Sequence, residues 1–262
     1  MSDSEDEQTL LLPAERESMI LNLLAGQGPL RVNELSAMLD VSEPTIRRDL
    51  ARLEKAHKVR RMHGGAMLEG DPIFEPPVLQ RQSLNTPAKK RIGKVAADLI
   101  NDGETVIILG GSTTLEIIPY IKNKRNLTII TDSILIAMGL ANNAINCILV
   151  GGNLLQPELT VEGRLAELCL AELRANKAIF GVRAVNFEQG LMLDRLSEVG
   201  TFKACIQAAS EVILVADHSK FNSVATAVLG PLKTVQSVIT DTDVQPDIPL
   251  RLKQLDIAVY IA

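Results

Sequence analysis

From Pro13 the apolar residues recur at helical spacing, with Ile20, Leu23 and Leu24 marking a buried stripe, until GQGPL at 26–30 breaks the run. A second short helix is predicted across VNELSAMLD, where Leu35, Met38 and Leu39 share one face. Ser42 is a favoured N-cap and Pro44 is tolerated in a first turn, so a third helix of about three turns is predicted to run to Lys55. On a wheel of about 3.6 residues per turn, Leu50 and Leu53 fall within roughly 40° of Ile46 and form its core stripe. Arg48, Arg52 and Lys55 lie opposite, with Pro44, Thr45 and Arg47 flanking that face in the first turn. KVRRMHGGA then reads as a β-ribbon carrying Arg60, Arg61 and His63 and turning at Gly64-Gly65.

Residues 67–87 carry Pro72, Pro76, Pro77 and Pro87 with few periodic apolar positions, the mark of an extended connector. From Ala88 onward the period changes. Short apolar runs at 105–109, 127–131, 145–150, 177–182, 211–217, 237–240 and 257–261 read as buried strands, and segments 88–100, 114–121, 133–142, 161–174 and 197–209 read as helices between them. Such alternation predicts an α/β fold with a largely parallel sheet covered on both faces. The expected organisation is therefore a disordered acidic tail over 1–12, a helix-turn-helix domain with a wing over 13–66, a linker over 67–87 and a larger domain over 88–262.

Composition narrows the chemistry. The 262 residues include 32 Asp and Glu against 27 Lys and Arg, a net charge of −5, so nucleic acid binding has to be local. Between Ser42 and His63 seven Lys or Arg face three acids, which reverses the sign of the whole chain. A helix offering short polar and guanidinium side chains at its N-terminal end, after a short helix and a tight turn, suits a DNA major groove, although most charged helices are simply solvated. No run of about 18 apolar residues occurs and the chain opens on the acidic MSDSEDEQ, so a cytoplasmic location is expected, with no membrane partner. Cys147, Cys169 and Cys205 sit in apolar runs and read as core thiols; His57, His63 and His218 are scattered singly. No metal and no cofactor are expected.

In an open α/β sheet ligands bind beyond the carboxyl ends of the strands. There the sequence places GGSTT (Gly110, Gly111, Ser112, Thr113, Thr114), Asp132-Ser133, Gly151-Gly152-Asn153, Arg183 and the run Asp217, His218, Ser219, Lys220. Glycines, hydroxyls and a lysine together describe a phosphate cradle, with carboxylates able to bond sugar hydroxyls. Each piece alone also suits an ordinary turn or cap. Neither GK[ST] nor GxGxxG is present, which disfavours a nucleotide, and no Trp and two Tyr leave little to stack on a bare sugar.

VSEPTIRRDLARLEKAHKVRRMHGGA resembles the winged helix-turn-helix signature of the DeoR family of bacterial transcriptional repressors, VS-x-x-TIRRDL-x-x-L followed by R-x-HGGA. The likeness continues through DGETVIILGGSTT, LTIITDS, LVGGNL, KAIFGV, Gly190-Leu191, Glu198 and LVADHSKF. It departs at Ala56-His57, where the family has a glycine, at Leu109, where it has an aspartate, and at Asp132, where it has an asparagine. The resemblance implies a sensor domain similar to sugar-phosphate isomerases that detects phosphorylated sugars, and it adds Glu198 to the pocket. The resulting expectation is a repressor of a carbohydrate-metabolism operon, acting as a dimer or tetramer on operator DNA. Ser42, Pro44, Thr45, Arg47 and Arg48 would meet bases or the groove, and Arg52, Lys58, Arg61 and His63 the phosphates. The rival from another class is a sugar-phosphate isomerase using Asp132, Glu198 or Asp217 as general base.

Overall fold

The computed structural model describes residues 13–27, 30–56, 58–62, 64–68, 75–141 and 143–262. Tail residues 1–12, His57 and His63 lie outside the described residues, as do positions 69–74 of the expected linker. The chain separates into two compact units between Phe74 and Glu75.

The first unit runs α1 (Pro13–Gln27), β1 (Leu30–Arg31), α2 (Val32–Leu39), α3 (Glu43–Lys55), β2 (Val59–Met62) and β3 (Gly65–Leu68). The predicted stripe of α3 is its buried face: Ile46, Leu50 and Leu53 pack with Ile20 and Leu24 of α1, Leu35 and Leu39 of α2, and Val59 and Ala66 of the wing. Met38, expected in the core, is 48% exposed, and Leu23 is only partly buried. The wing is a three-stranded antiparallel sheet in the order β1-β3-β2, with Leu30 opposite Ala66 and Met62 opposite Gly65.

The second unit continues with α4 (Val78–Arg81), α5 (Thr86–Asp98), β4 (Thr105–Ile108), α6 (Ile118–Ile121), β5 (Thr128–Thr131), α7 (Ile134–Leu140) and β6 (Asn146–Leu149). Next come β7 (Asn153–Leu155), β8 (Thr160–Glu162), α8 (Arg164–Ala171), β9 (Ala175–Phe180), β10 (Ala184–Asn186), β11 (Gly190–Leu193) and α9 (Leu196–Ala208). The chain closes with β12 (Ala209–Val215), β13 (Ala227–Gly230), β14 (Ser237–Thr240), α10 (Asp247–Gln254) and β15 (Ala258–Ile261). A seven-stranded, wholly parallel sheet has the order β15-β14-β12-β9-β4-β5-β6.

Successive residues of a strand point to opposite faces, so continuous apolar strands must be covered on both sides. Val106 and Ile108 join Ile92 of α5, Ile118 of α6 and Ile136 of α7 in one core. Ile107 and Leu109 join Leu170 of α8, Phe202 of α9 and Ile248 of α10 in the other.

Three features differ from the sequence reading. Residues 161–162 belong to the hairpin β7–β8 rather than to a helix beginning there, because Asn153 to Leu155 pair antiparallel with Thr160 to Glu162. A second sheet, β10-β11-β13, is antiparallel; its strands of three or four residues were too short to show a period. Residues 75–87 are not a free connector but part of the second unit: Val78 is buried, and its N–H donates to the Pro157 carbonyl at 2.9 Å. Of the cysteines only Cys205 is buried; Cys147 and Cys169 are partly exposed.

Candidate functional sites

At the start of α3, Ser42 has the extended backbone of an N-cap, but its hydroxyl meets the Thr45 hydroxyl at 2.9 Å instead of capping the helix. Pro44 is exposed and Thr45 half-buried. Arg47 pairs with Glu43 one turn back at 3.1 Å, both about half exposed. Arg48, Lys58 and Arg61 are exposed and have no ion pair among the described residues.

Arg52, expected to meet a phosphate, is about half exposed and already ion-paired. It pairs with Glu17 of α1 at 3.0 Å and also with Asp49. Asp49, read as one more charge on the helix, is 1% exposed and takes a two-pronged contact from Arg16, at 2.5 and 3.2 Å. Burial alone would raise its pKa, yet the hydrogen bonds from Arg16 and Arg52 hold it below the usual carboxylate range. The sequence signal was Asp49 falling beside Ile46, Leu50 and Leu53 on the wheel.

In the second unit, β5 and β6 extend the sheet to one side of β4, while β9, β12, β14 and β15 extend it to the other. The loops after β4 and β9 therefore diverge and open a crevice, the position where open α/β sheets bind ligands. Its walls include Gly110, Gly111, Ser112, Thr113 and Thr114 from the first loop, Gly181 to Arg183 from the second, Lys220, and Glu198 of α9. Those predicted residues are brought together.

Four others are not among the walls. Asp132 is 4% exposed and sits behind the first loop, accepting from the Gly110 N–H at 2.7 Å; burial pushes its pKa up to about 7, against the hydrogen bond from Gly110. Asp217 is 1% exposed and caps the 3-10 turn His218–Lys220, accepting from the Ser219 N–H at 3.0 Å. Gly151 and Gly152 lead into the β7–β8 hairpin. A Cβ on Gly152 would lie 2.7 Å from the Glu162 carbonyl oxygen, and one on Gly110 would collide with Thr160 of the same hairpin. Close packing thus accounts for both glycines.

The sequence reading missed Glu75, Arg81, Glu158, Asp194 and Arg195, all of which line the crevice. Arg81 pairs with Glu75 at 2.6 Å and with Glu158, and Arg183 lies 3.2 Å from Asp194. Glu75 also pairs with Lys220, and its carboxylate is 3.7 Å from Arg183. Burial would raise the Glu75 pKa, but Lys220 and Arg81 hold it low. Burial raises Glu198 to about 7, with Glu158 adding repulsion. Behind the wall, buried Lys89 donates to the Arg81 carbonyl at 2.6 Å, and burial lowers its pKa to about 8. An arginine or acid in a polar stretch carries no local sign of which distant cluster it will join. Chemically, the crevice offers cations, backbone and hydroxyls to an anion, and carboxylates to hydroxyl groups.

Comparison with known proteins gives two family matches: a DeoR-like helix-turn-helix domain over residues 16–69 and a DeoR C terminal sensor domain over residues 84–242. The chain is 34% identical over 237 residues to the uncharacterized HTH-type transcriptional regulator YulB of Bacillus subtilis, covering 90% of this chain and 92% of that one. It is 30% identical over 247 residues to the HTH-type transcriptional repressor CsqR of Escherichia coli, covering 94% of each. Among solved structures, ribose 5-phosphate isomerase A of Methanocaldococcus jannaschii aligns with a TM-score of 0.39 at 19% identity, over 52% of this chain and 55% of that one.

Proposed function

This chain belongs to the DeoR family of transcriptional regulators, and from that premise we propose that it represses a carbohydrate-metabolism operon under control of a phosphorylated sugar held in the sensor crevice. The observation that carries the sensor half is the meeting of the Gly110–Thr114 loop, Arg183 and Lys220 at the point where the strand order reverses between β4 and β9. A phosphate ester is recognised there by charge and hydrogen-bond donors, and its sugar hydroxyls by Glu198 and the neighbouring acids.

On the DNA side, Thr45, Arg47 and Arg48 reach base edges, with Pro44 against a thymine methyl and Ser42 at the groove's rim. Lys58, Arg61 and His63 contact phosphates, and Arg52 adds one through the part of its guanidinium left exposed. One small module binds weakly, so a homo-oligomer presenting paired winged helices to repeated half-sites supplies useful affinity. A coupling of about 1–3 kcal/mol between effector and operator changes DNA affinity roughly 5–150-fold, provided the effector prefers one arrangement. The protein acts in the cytoplasm, where operator and metabolite meet; among the described residues no helix is long and apolar enough to cross a membrane.

The isomerase alternative loses its footing because named members of the family are transcriptional regulators; of its three candidate bases Asp132 and Asp217 are committed behind the walls, and Glu198 faces the crevice. A thermal-shift panel of pentose and hexose phosphates against the intact protein tests the reading. A ligand at a hundredfold excess over Kd stabilises by about 2.7 kcal/mol. The shift is expected to need the phosphate and to vanish in Lys220→Ala; a response to the unphosphorylated sugar alone would refute it.

A further inference from the structure

Glu75 is the first residue of the second unit and stands seven positions beyond Leu68, the last residue of β3. Its carboxylate lies among three cations of the sensor crevice: Lys220, Arg81 at 2.6 Å and Arg183 at 3.7 Å. These cations come from a 3-10 turn, a four-residue helix and the loop after β9, and Lys220 stands 145 residues from Glu75 in the chain. Its backbone N–H is held as well, donating to Asp194 at 3.2 Å. The segment that follows is secured independently of that carboxylate: Arg81 donates to the Pro76 carbonyl at 2.8 Å, Val78 donates to Pro157 at 2.9 Å, and Lys89 donates to the Arg81 carbonyl at 2.6 Å.

We propose that Glu75 is an internal occupant of the anion site, and that a phosphate monoester entering the crevice displaces its carboxylate from Lys220, Arg81 and Arg183. This rests on the reading of the crevice as an anion site. The chemistry selects the ligand class. A monocarboxylate would exchange like for like and lose the advantage of a tethered group. A phosphate monoester carries about −1.5 to −2 charges at pH 7 on three acceptor oxygens, which suits three converging cations better than two oxygens sharing one charge. Release acts at a defined place in the chain. With Glu75 held, six residues separate it from Leu68; with Glu75 free, seven separate Leu68 from Pro76, whose carbonyl Arg81 holds. Effector binding thereby frees Glu75, where the connection to the DNA-binding unit meets the sensor unit, and lengthens that connection by one residue.

Titration calorimetry on the full chain with inorganic phosphate, with D-gluconate as the carboxylate probe, is paired with hydrogen exchange of peptides spanning Glu75 and Val78. Phosphate is expected to bind at least about fivefold tighter to Glu75→Gln than to the parent, within the usual range of coupled sites, with Glu75→Asp near the parent. Phosphate, and not gluconate, is expected to speed exchange at Glu75 in the parent while Val78 stays protected. Equal phosphate affinity in parent and Glu75→Gln, abolished by Lys220→Ala, would keep the anion site and overturn the displacement. Tighter binding in Glu75→Gln without faster exchange in the parent would mean that Glu75 only repels, and would overturn it too. Phosphate binding to none of these proteins, all folded by thermal melt, would defeat the anion site itself.

Discussion

The two basic regions of this molecule treat their charges in opposite ways. On α3 and the wing, Arg48, Lys58 and Arg61 face solvent without an ionic partner among the described residues, while in the sensor crevice Lys220, Arg81 and Arg183 are each already matched to a carboxylate. An exposed cation in water keeps its hydration and is ready for a polyanion, so its affinity is strong, general and sensitive to salt. A largely buried cation is costly to leave uncompensated, so an incoming anion competes with the carboxylates already beside it. Generality suits a surface that must find DNA; under the proposed function, competition suits one that tells metabolites apart. Asp49 shows both regimes within one helix, since its buried carboxylate gathers Arg16 and Arg52 while Arg48 and Lys55 face solvent.

The largest effect is expected from the buried pair. Asp49→Ala leaves Arg16 without its main partner and should destabilise the first unit by about 3–5 kcal/mol, measured by denaturant unfolding. Because the folded pKa of Asp49 is depressed, its contribution is complete above the unfolded value of about 3.9 and is lost as pH falls through the lower folded value. Loss of stability below about pH 4 that is as steep in Asp49→Ala as in the parent would contradict the assignment.

Next in size is the exposed row. Arg48→Ala should cost about 1–3 kcal/mol on operator DNA and much less on random DNA, whereas Arg61→Ala should weaken both alike and lower the slope of log K against log salt by about 0.9. Equal losses on the two DNAs for Arg48→Ala, read by fluorescence anisotropy, would move it from bases to phosphates.

A pH effect of opposite sign belongs to the sensor unit. Asp132 is raised to about 7, so between the unfolded value near 4 and about 7 the folded form holds a proton that the unfolded form has lost. Stability of this unit should therefore rise as pH falls from 7 towards 5, by at most about 1.4 kcal/mol per pH unit for one group. Asp132→Asn, the residue found there in the family pattern, keeps an acceptor for the Gly110 N–H and should flatten the Asp132 part of that slope in thermal melts.

The smallest effect is expected at Arg47, whose surface pair with Glu43 contributes about 0.3–0.5 kcal/mol as an i,i+4 contact. A stability loss above about 1 kcal/mol in Arg47→Ala, measured by denaturant unfolding, would show that the exposed face is less independent of the core than its solvent exposure implies.

Much of this was legible in the residues themselves. The stripe Ile46, Leu50 and Leu53, the ribbon reversing at Gly64 although Gly65 already belongs to β3, and the apolar runs that became β4, β5, β6, β9, β12, β14 and β15 were visible in local sequence patterns. Those patterns also placed the GGSTT loop, Arg183 and Lys220 at strand ends, because direction along a parallel sheet is common to every strand.

Tertiary structure alone decided which of the strand-end residues share one crevice. It kept Asp132, Asp217, Gly151 and Gly152 off the walls and brought in Glu75, Arg81, Glu158, Asp194 and Arg195. A local pattern can state which way a side chain faces on its own helix or strand. It holds no record of what will be packed against that face from 145 residues away, which is the separation of Glu75 from Lys220. Strand order and the close approach of the β7–β8 hairpin set those encounters, and both arise only once the whole sheet has assembled.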